Sequence, residues 1–380
     1  MRSFDVAVIG LGAMGSASIY AAARRGLRVL GVDRYEPGHS RSASFGESRL
    51  IRLAYFEDPS YVPLVQEAYA RWRALEVASG EKVLIITGLI EAGFPGASLV
   101  VDSWRSSTQH NLRSERLTAT EANSRFPAFD LPADWDVIFQ SDAGALLPEK
   151  AIRLFVAGAK AHGASVRLNT RVIAVEPVGE RVQIVLEGGE RIEAGSAVVA
   201  AGAWIGDLLP DVAAHLRLTR QPLVWFQPPQ PTPVGPDRMP AFLFQTASDL
   251  VYGLPNVCGT GVKVASHLSG GELSSAEQAR AEVSQQEVEY LQGLIRRYVP
   301  AAAGPLVNTS ACIYTRSQDG HFVVGLHPQA PQLVIASPCS GHGFKFASVM
   351  GEILADLAID RKTDRPIDLF SVERLLSGSL

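Results

Sequence analysis

The chain has 380 residues, 47% of them apolar, and a formal charge of −4 from 35 basic and 39 acidic side chains. That length allows two domains with a large core, the apolar share excludes a disordered chain, and the charge balance provides no basic field for nucleic acid. The three cysteines, Cys258, Cys312 and Cys339, are scattered and odd in number, which argues against a disulfide framework or a metal site.

Residues 4–9 (FDVAVI) read as a buried parallel strand. Gly10, Gly12 and Gly15 follow at once, then an Ala-rich helix over 13–25, stopped by Gly26. A second strand over 27–32 ends in Asp33. In such a unit the first glycine allows a tight turn, the second lets backbone approach a pyrophosphate, and the third lets helix and strand pack closely. The helix N-terminus offers free N–H groups to phosphate, and Asp33 would accept from a ribose hydroxyl. The motif predicts a dinucleotide and leaves NAD and FAD both open.

Further along, residues 61–79 and 151–162 have helical apolar spacing. Residues 165–168, 172–175, 183–186 and 197–200 read as strands, and 93–96 and 227–240 as loops. Residues 275–299 read as one charged helix. A strand over 311–316, a turn at 318–320 and strands over 321–327 and 332–337 come next. Cys339-Ser-Gly341-His-Gly343 then feeds a helix over 344–359. A second glycine turn at a helix start suits a long cofactor with charge at both ends, and FAD is such a molecule.

Several motifs resemble the monomeric sarcosine oxidase family, which includes N-methyltryptophan oxidase and is related to D-amino acid oxidase. They are Gly10-x-Gly12-x-x-Gly15 with Asp33, the run from Gly46 through Arg49 and Arg52 to Tyr55, and residues 251–255 with Tyr252. Residues 261–267 with Lys263 and His267, Cys312-Ile-Tyr314-Thr315, and Ser340-Gly341-His-Gly343-Phe-Lys345-Phe complete the set. The resemblance spans nearly the whole chain. It implies an α/β fold: a Rossmann-like FAD-binding domain from residues 1–85, 150–220 and 310–380, and an α+β substrate domain with a large mixed or antiparallel sheet from 86–149 and 221–309.

The resemblance also implies roles. Cys312 would carry FAD covalently, and Gly10, Gly12, Gly15, Asp33, Gly341, Gly343 and Lys345 would line the cofactor. Arg52 and Lys345 would grip the substrate carboxylate, the arginine with a two-pronged fork and the lysine with a point charge. Lys263 would assist the reaction with oxygen, Arg49 would sit beside the flavin ring, and Tyr252, His267 and Tyr314 would shape the pocket. Phe45 stands where the sarcosine-oxidising pattern has histidine, so Phe45 is expected to grease the substrate pocket and favour a bulkier or more apolar amine than sarcosine. The implied activity is flavin-dependent oxidation of secondary amino acids to imines, with O2 reduced to hydrogen peroxide. N-methyltryptophan, pipecolate and fructosyl-amino-acid oxidation are close alternatives, and an NAD(P)-dependent dehydrogenase is a more distant one. The expected partners are the small amine and O2, with no metal, no nucleic acid and no membrane. No apolar run is long enough to span a bilayer and the N-terminus reads straight into a strand, so a cytoplasmic protein is expected, and the resemblance implies a monomer.

Overall fold

In the computed structural model, which describes residues 3–268, 270–280 and 282–376, the glycine-punctuated start forms a βαβ unit. Ser3–Ile9 is followed by the helix Ala13–Arg24 and the strand Val29–Val32. The two strands pair in parallel, from Val6 opposite Val29 to Ile9 opposite Val32. A Cβ on Gly15 would lie 1.7 Å from the Gly10 carbonyl oxygen, so only glycine allows the helix this close to the strand.

This unit seeds an eight-stranded sheet. Arg191–Val199 runs parallel to Ser3–Ile9. Its early residues also pair with Arg181–Leu186, antiparallel, and its last residues with Ala330–Ser337, parallel. The helices Ala13–Arg24, Pro148–Ala161, Val62–Ser79 and Ala347–Asp360 share one apolar cluster against this sheet. An opposite cluster, centred on Ala7, Leu30, Ala197 and Ile335, covers its other face.

A nine-stranded sheet forms the second layer. It is mostly antiparallel, with one parallel pair between Leu89–Gly93 and Ala241–Gln245. Side chains alternate across a strand, and here the alternation sorts core from site. Phe242, Phe244, Val251, Val262 and Val264 enter an apolar cluster on one face. Leu243, Leu250, Tyr252, Ala265, Cys312 and Tyr314 gather on the other. A third, three-stranded sheet of Arg49–Ile51, Leu84–Ile86 and Gly144–Leu146 carries Arg49 and leads directly into Arg52.

Several elements differ from their expected extent; the strand expected over 197–200, for instance, is Arg191–Val199. The span 275–299 is not one helix: Ala276–Arg280 is a 3-10 turn, and Gln285–Tyr298 starts anew at a capping box between Ser284 and Glu287. The strand expected over 311–316 runs from Leu306 to Ser317, because it pairs along the whole of Leu216–Phe226. The segment boundaries at 220 and 310 therefore each fall inside a strand. The helix expected over 344–359 opens with a 3-10 turn, Phe344–Phe346, before Ala347–Asp360. Among the described residues no helix is long and apolar enough to cross a membrane, and no group of three or more His, Cys, Asp or Glu is arranged to hold a metal ion.

Candidate active site

Two cavities meet between the sheets, sharing Ala43, Cys339 and Phe344 in their walls. The first runs along the βαβ unit and is lined by Gly10, Gly12 and Asp33. Gly10 has φ of 87°, and a Cβ there would meet the Ala200 carbonyl oxygen at 2.5 Å. A Cβ on Gly12 would meet nothing within 4 Å. That difference is informative: Gly10 and Gly15 are glycine because protein atoms crowd them, while the space beside Gly12 is open for a ligand. The helix behind Gly12 has no side-chain cap, so its first N–H groups remain available to an anion. The Asp33 carboxylate already accepts from Leu11 N at 2.6 Å and Tyr35 N at 2.7 Å. It thus ties the glycine turn to the end of the second strand while lining the cavity. Burial raises its pKa, against the two backbone N–H bonds.

The second cavity is lined by Arg49, Arg52, Tyr252, His267, Cys312, Tyr314, Gly341, Gly343 and Lys345. The motifs at 46–55, 251–267, 312–315 and 340–346 are scattered through the sequence and converge here. Cys312 is buried, with Sγ 3.1 Å from the Ala43 carbonyl oxygen and 3.5 Å from Arg49 Nη2. Arg49 also donates to the carbonyls of Ser48, Ala43 and Phe45 at 2.8, 2.9 and 2.5 Å. Gly341 has φ of 87°, and a Cβ there would lie 2.7 Å from the Tyr314 ring. A Cβ on Gly343 would lie 1.6 Å from the Pro338 carbonyl oxygen. Tyr314 OH and His267 Nδ1 are 3.4 Å apart. Burial holds His267 neutral, its pKa pushed down to about 4.

Arg52 is 2% exposed and tightly held. Its guanidinium lies 4.2 Å from the Tyr55 ring centroid and 4.5 Å from that of Phe56. Nη1 donates to the Ala54 carbonyl at 2.6 Å and Nη2 to Glu57 Oε2 at 2.5 Å. On its far side Nε is 3.8 Å from Glu91 Oε1. Burial works against the charge of Glu57, but Arg52, His342 and Lys345 outweigh it and hold its pKa down at about 2. Glu91 is fully buried, and burial pushes its pKa up to about 7 despite Arg52. Lys345 is 5% exposed, and burial, with Arg52 beside it, lowers its pKa to about 7. Its Nζ donates to the His342 carbonyl at 2.8 Å and to Tyr55 OH at 3.3 Å.

Three of the residues singled out in the sequence sit elsewhere. Gly15 lines neither cavity, because it packs against the Gly10 carbonyl. The Phe45 side chain lines a separate cleft with Ala276, Ala279 and Thr309, not the cavity of Arg52. Only its carbonyl reaches inward, to Arg49. The reason is the backbone turn that follows, where Gly46 and Glu47 have φ of 121° and 66°. Phe45 therefore gives the cavity no apolar wall; Phe56, Leu243 and Leu250 do. Lys263 is 1% exposed and donates to the carbonyls of Gly46 and Ser48 at 2.9 and 2.6 Å. It lies behind Arg49 and is not among the residues lining the cavity. Burial pushes its pKa well below that of an ordinary lysine.

Glu57, Glu91, Tyr55 and His342 were not among the candidate site residues. Tyr55 and His342 lie inside the motifs that were. Glu91 carried a signal of its own, a lone acid in the apolar run LIEAG.

Comparison with known proteins identifies the family. Residues 5–357 match the family model DAO, FAD dependent oxidoreductase. The chain is 36% identical to the monomeric sarcosine oxidase of Streptomyces avermitilis, over 99% of both chains. It is 33% identical to the N-methyl-L-tryptophan oxidase of Escherichia coli K12, over 98% of this chain and 99% of that one. Among solved structures, NikD, an unusual amino acid oxidase essential for nikkomycin biosynthesis, superposes with a TM-score of 0.86 at 24% identity, covering 98% of each chain. The L-proline dehydrogenase of P. horikoshii superposes with a TM-score of 0.85 at 19% identity, covering 99% of each. These last two likenesses are of fold.

Proposed function

The chain belongs to the DAO family of FAD-dependent oxidoreductases, and on that premise we propose that it oxidises secondary amino acids whose carboxylate is held by Arg52 and Lys345. The observation that carries this is two buried cations on one cavity wall, with Cys312 and the Gly341–Gly343 turn on the walls around them and the Gly10–Gly12 turn in the adjoining cavity. FAD, when bound, supplies the oxidation of the substrate C–N bond to an imine and the reduction of O2 to hydrogen peroxide.

Gly10, Gly12 and Asp33 would hold the dinucleotide end, and Gly15 would let the helix pack close enough to serve it. Arg49, Gly341 and Gly343 would flank the ring, and Cys312 Sγ would form the covalent link. In this reading the unit of residues 1–85, 150–220 and 310–380 binds FAD, and the large sheet of the second unit covers the substrate.

Anchoring the carboxylate at one end fixes which C–H bond is presented. The amine must be neutral to be oxidised, and the cavity favours that form. His267 is held neutral by burial, and burial pushes the phenols of Tyr252 and Tyr314 further from ionisation. Glu57, an ionised acid in the cavity wall, is engaged by Arg52, so the site offers an ammonium little compensation for lost water. Lys263, whose ammonium is disfavoured by burial, would take up a proton as negative charge develops nearby. Phe56, Leu243 and Leu250 favour an N-methyl or cyclic amino acid with an apolar side chain over sarcosine itself. We propose a cytoplasmic monomer acting on this small amine and O2.

A peroxide assay over sarcosine, N-methyl amino acids of increasing size, pipecolate and fructosyl amino acids tests the substrate class. Turnover is expected to rise with apolar size. A kcat/KM highest for sarcosine would reject the apolar preference, and no turnover across the panel would reject the function.

A further inference from the structure

Behind Lys345 lie three groups that the proposed reaction leaves without a part: Tyr55, His342 and the Gly320 carbonyl. His342 is buried and neutral, its pKa pushed down to about 3. A neutral imidazole has one N–H and one lone pair. Its Nε2 lies 3.1 Å from the Gly320 carbonyl oxygen, which can only accept. The proton therefore sits on Nε2, and Nδ1 keeps its lone pair. Nδ1 lies 2.8 Å from Tyr55 OH, far closer than the His342 carbonyl at 3.4 Å, so Tyr55 donates to Nδ1. With its proton committed, the Tyr55 oxygen presents a lone pair to Lys345 Nζ, 3.3 Å away. The His342 carbonyl accepts a second Nζ proton at 2.8 Å. Two of the three N–H bonds of Lys345 thus end on neutral acceptors, and the third is left for the cavity.

We propose that Tyr55 and His342 are positioning residues: a chain from the Gly320 carbonyl through His342 and Tyr55, locked by the imidazole tautomer, presents Lys345 as a cation to the carboxylate of a ligand. This rests on the reading of Lys345 as a carboxylate anchor. A neutral acceptor supports an ammonium without cancelling its charge, whereas a bonded carboxylate would compete with the ligand. The charged and titratable groups facing Lys345 are Arg52, Glu57, Glu91, His267, His342 and Tyr55. Burial and Arg52 disfavour its proton, Glu57 and Glu91 favour it, and its pKa balances at about 7. The loss of one acceptor tips that balance within the physiological range.

The test uses the purified flavin-loaded enzyme with acetate as the probe, titrated calorimetrically at pH 6 and pH 8. Wild type should bind acetate more weakly at pH 8. Tyr55→Phe keeps the ring under Arg52 and Lys345 and removes only the hydroxyl. Its Kd should stay within about twofold of wild type at pH 6 and rise about tenfold above it at pH 8, the size of a lost hydrogen bond to a charged group. An equal loss at both pH values, or none, overturns the positioning role while leaving the anchor intact. Absence of acetate binding by wild type at either pH overturns the anchor itself and this proposal with it. Nitrogen NMR of His342 gives a readout that needs no variant. A neutral ring protonated at Nε2 from pH 5 to pH 9 is expected, and a proton on Nδ1 contradicts the chain.

Discussion

Arg52 and Glu57 meet at 2.5 Å between Nη2 and Oε2 in the cavity wall, so the proposed carboxylate anchor is already engaged by a carboxylate of its own chain. A ligand acid must compete for that guanidinium edge. The exchange keeps the cation paired but takes it from the Glu57 carboxylate, so the ligand binds against that cost.

Glu57→Gln removes the competitor, so acetate should bind about fivefold tighter at pH 7, equivalent to ~1 kcal/mol. The same change should cost stability. The folded pKa of Glu57 is about 2 against an ordinary 4.5, and the depressed acid stabilises the fold wherever it is ionised. That contribution, on the order of 3 kcal/mol, is fully present above about pH 4.5 and is lost as pH falls towards 2. Urea unfolding of wild type and Glu57→Gln should therefore differ at pH 7 and converge near pH 2.

Lys345→Met should separate binding from stability. The folded pKa of Lys345 is about 7 against an ordinary 10.5. Between those values the unfolded chain binds the extra proton, so stability rises with pH across that window. The penalty is fully present below pH 7, and the variant should be more resistant to urea than wild type at pH 6. Its advantage should fade towards pH 10. KM for the amino acid should nonetheless rise by about tenfold to a hundredfold at pH 6, the cost of a charge-assisted hydrogen bond.

Glu91 has the opposite sign. Among the described residues its Oε1 has no hydrogen-bond partner, and its folded pKa is about 7 against an ordinary 4.5. The folded state holds the proton more tightly, so stability falls as pH rises from 4.5 to 7. Glu91→Gln keeps the shape and the neighbouring Gln140. It should unfold at higher urea than wild type at pH 8, by on the order of 3 kcal/mol, and match it near pH 4.

Cys312 is expected to hold the flavin through sulfur. Acid precipitation of wild type should carry the yellow colour into the pellet. Cys312→Ala should release it to the supernatant, and the absorbance of the two fractions measures the difference.

The sequence made the glycine turns legible because each glycine reports a local steric demand. A Cβ 1.7 Å from a carbonyl at Gly15, or 1.6 Å at Gly343, leaves no other choice of residue. The side-chain direction of Phe45 was not readable, because it depends on a left-handed turn at Gly46 and Glu47 that turns its carbonyl, and not its ring, towards Arg49. The break in the expected helix has a Ser-x-x-Glu cap at Ser284 and Glu287, a signal that the reading of 275–299 as one helix passed over. Glu57 and Glu91 became meaningful only once folding placed both on one guanidinium. That contact spans 39 residues between Arg52 and Glu91 and leaves no periodic trace.

The most direct test is anaerobic reduction of the purified yellow enzyme by an N-methyl amino acid and, in parallel, by its methyl ester. Bleaching of the flavin by the acid, with the ester slower by at least about a hundredfold, is the predicted result. Equal bleaching by the ester, or none by any secondary amino acid, would contradict a site in which Arg52 and Lys345 hold a carboxylate for oxidation.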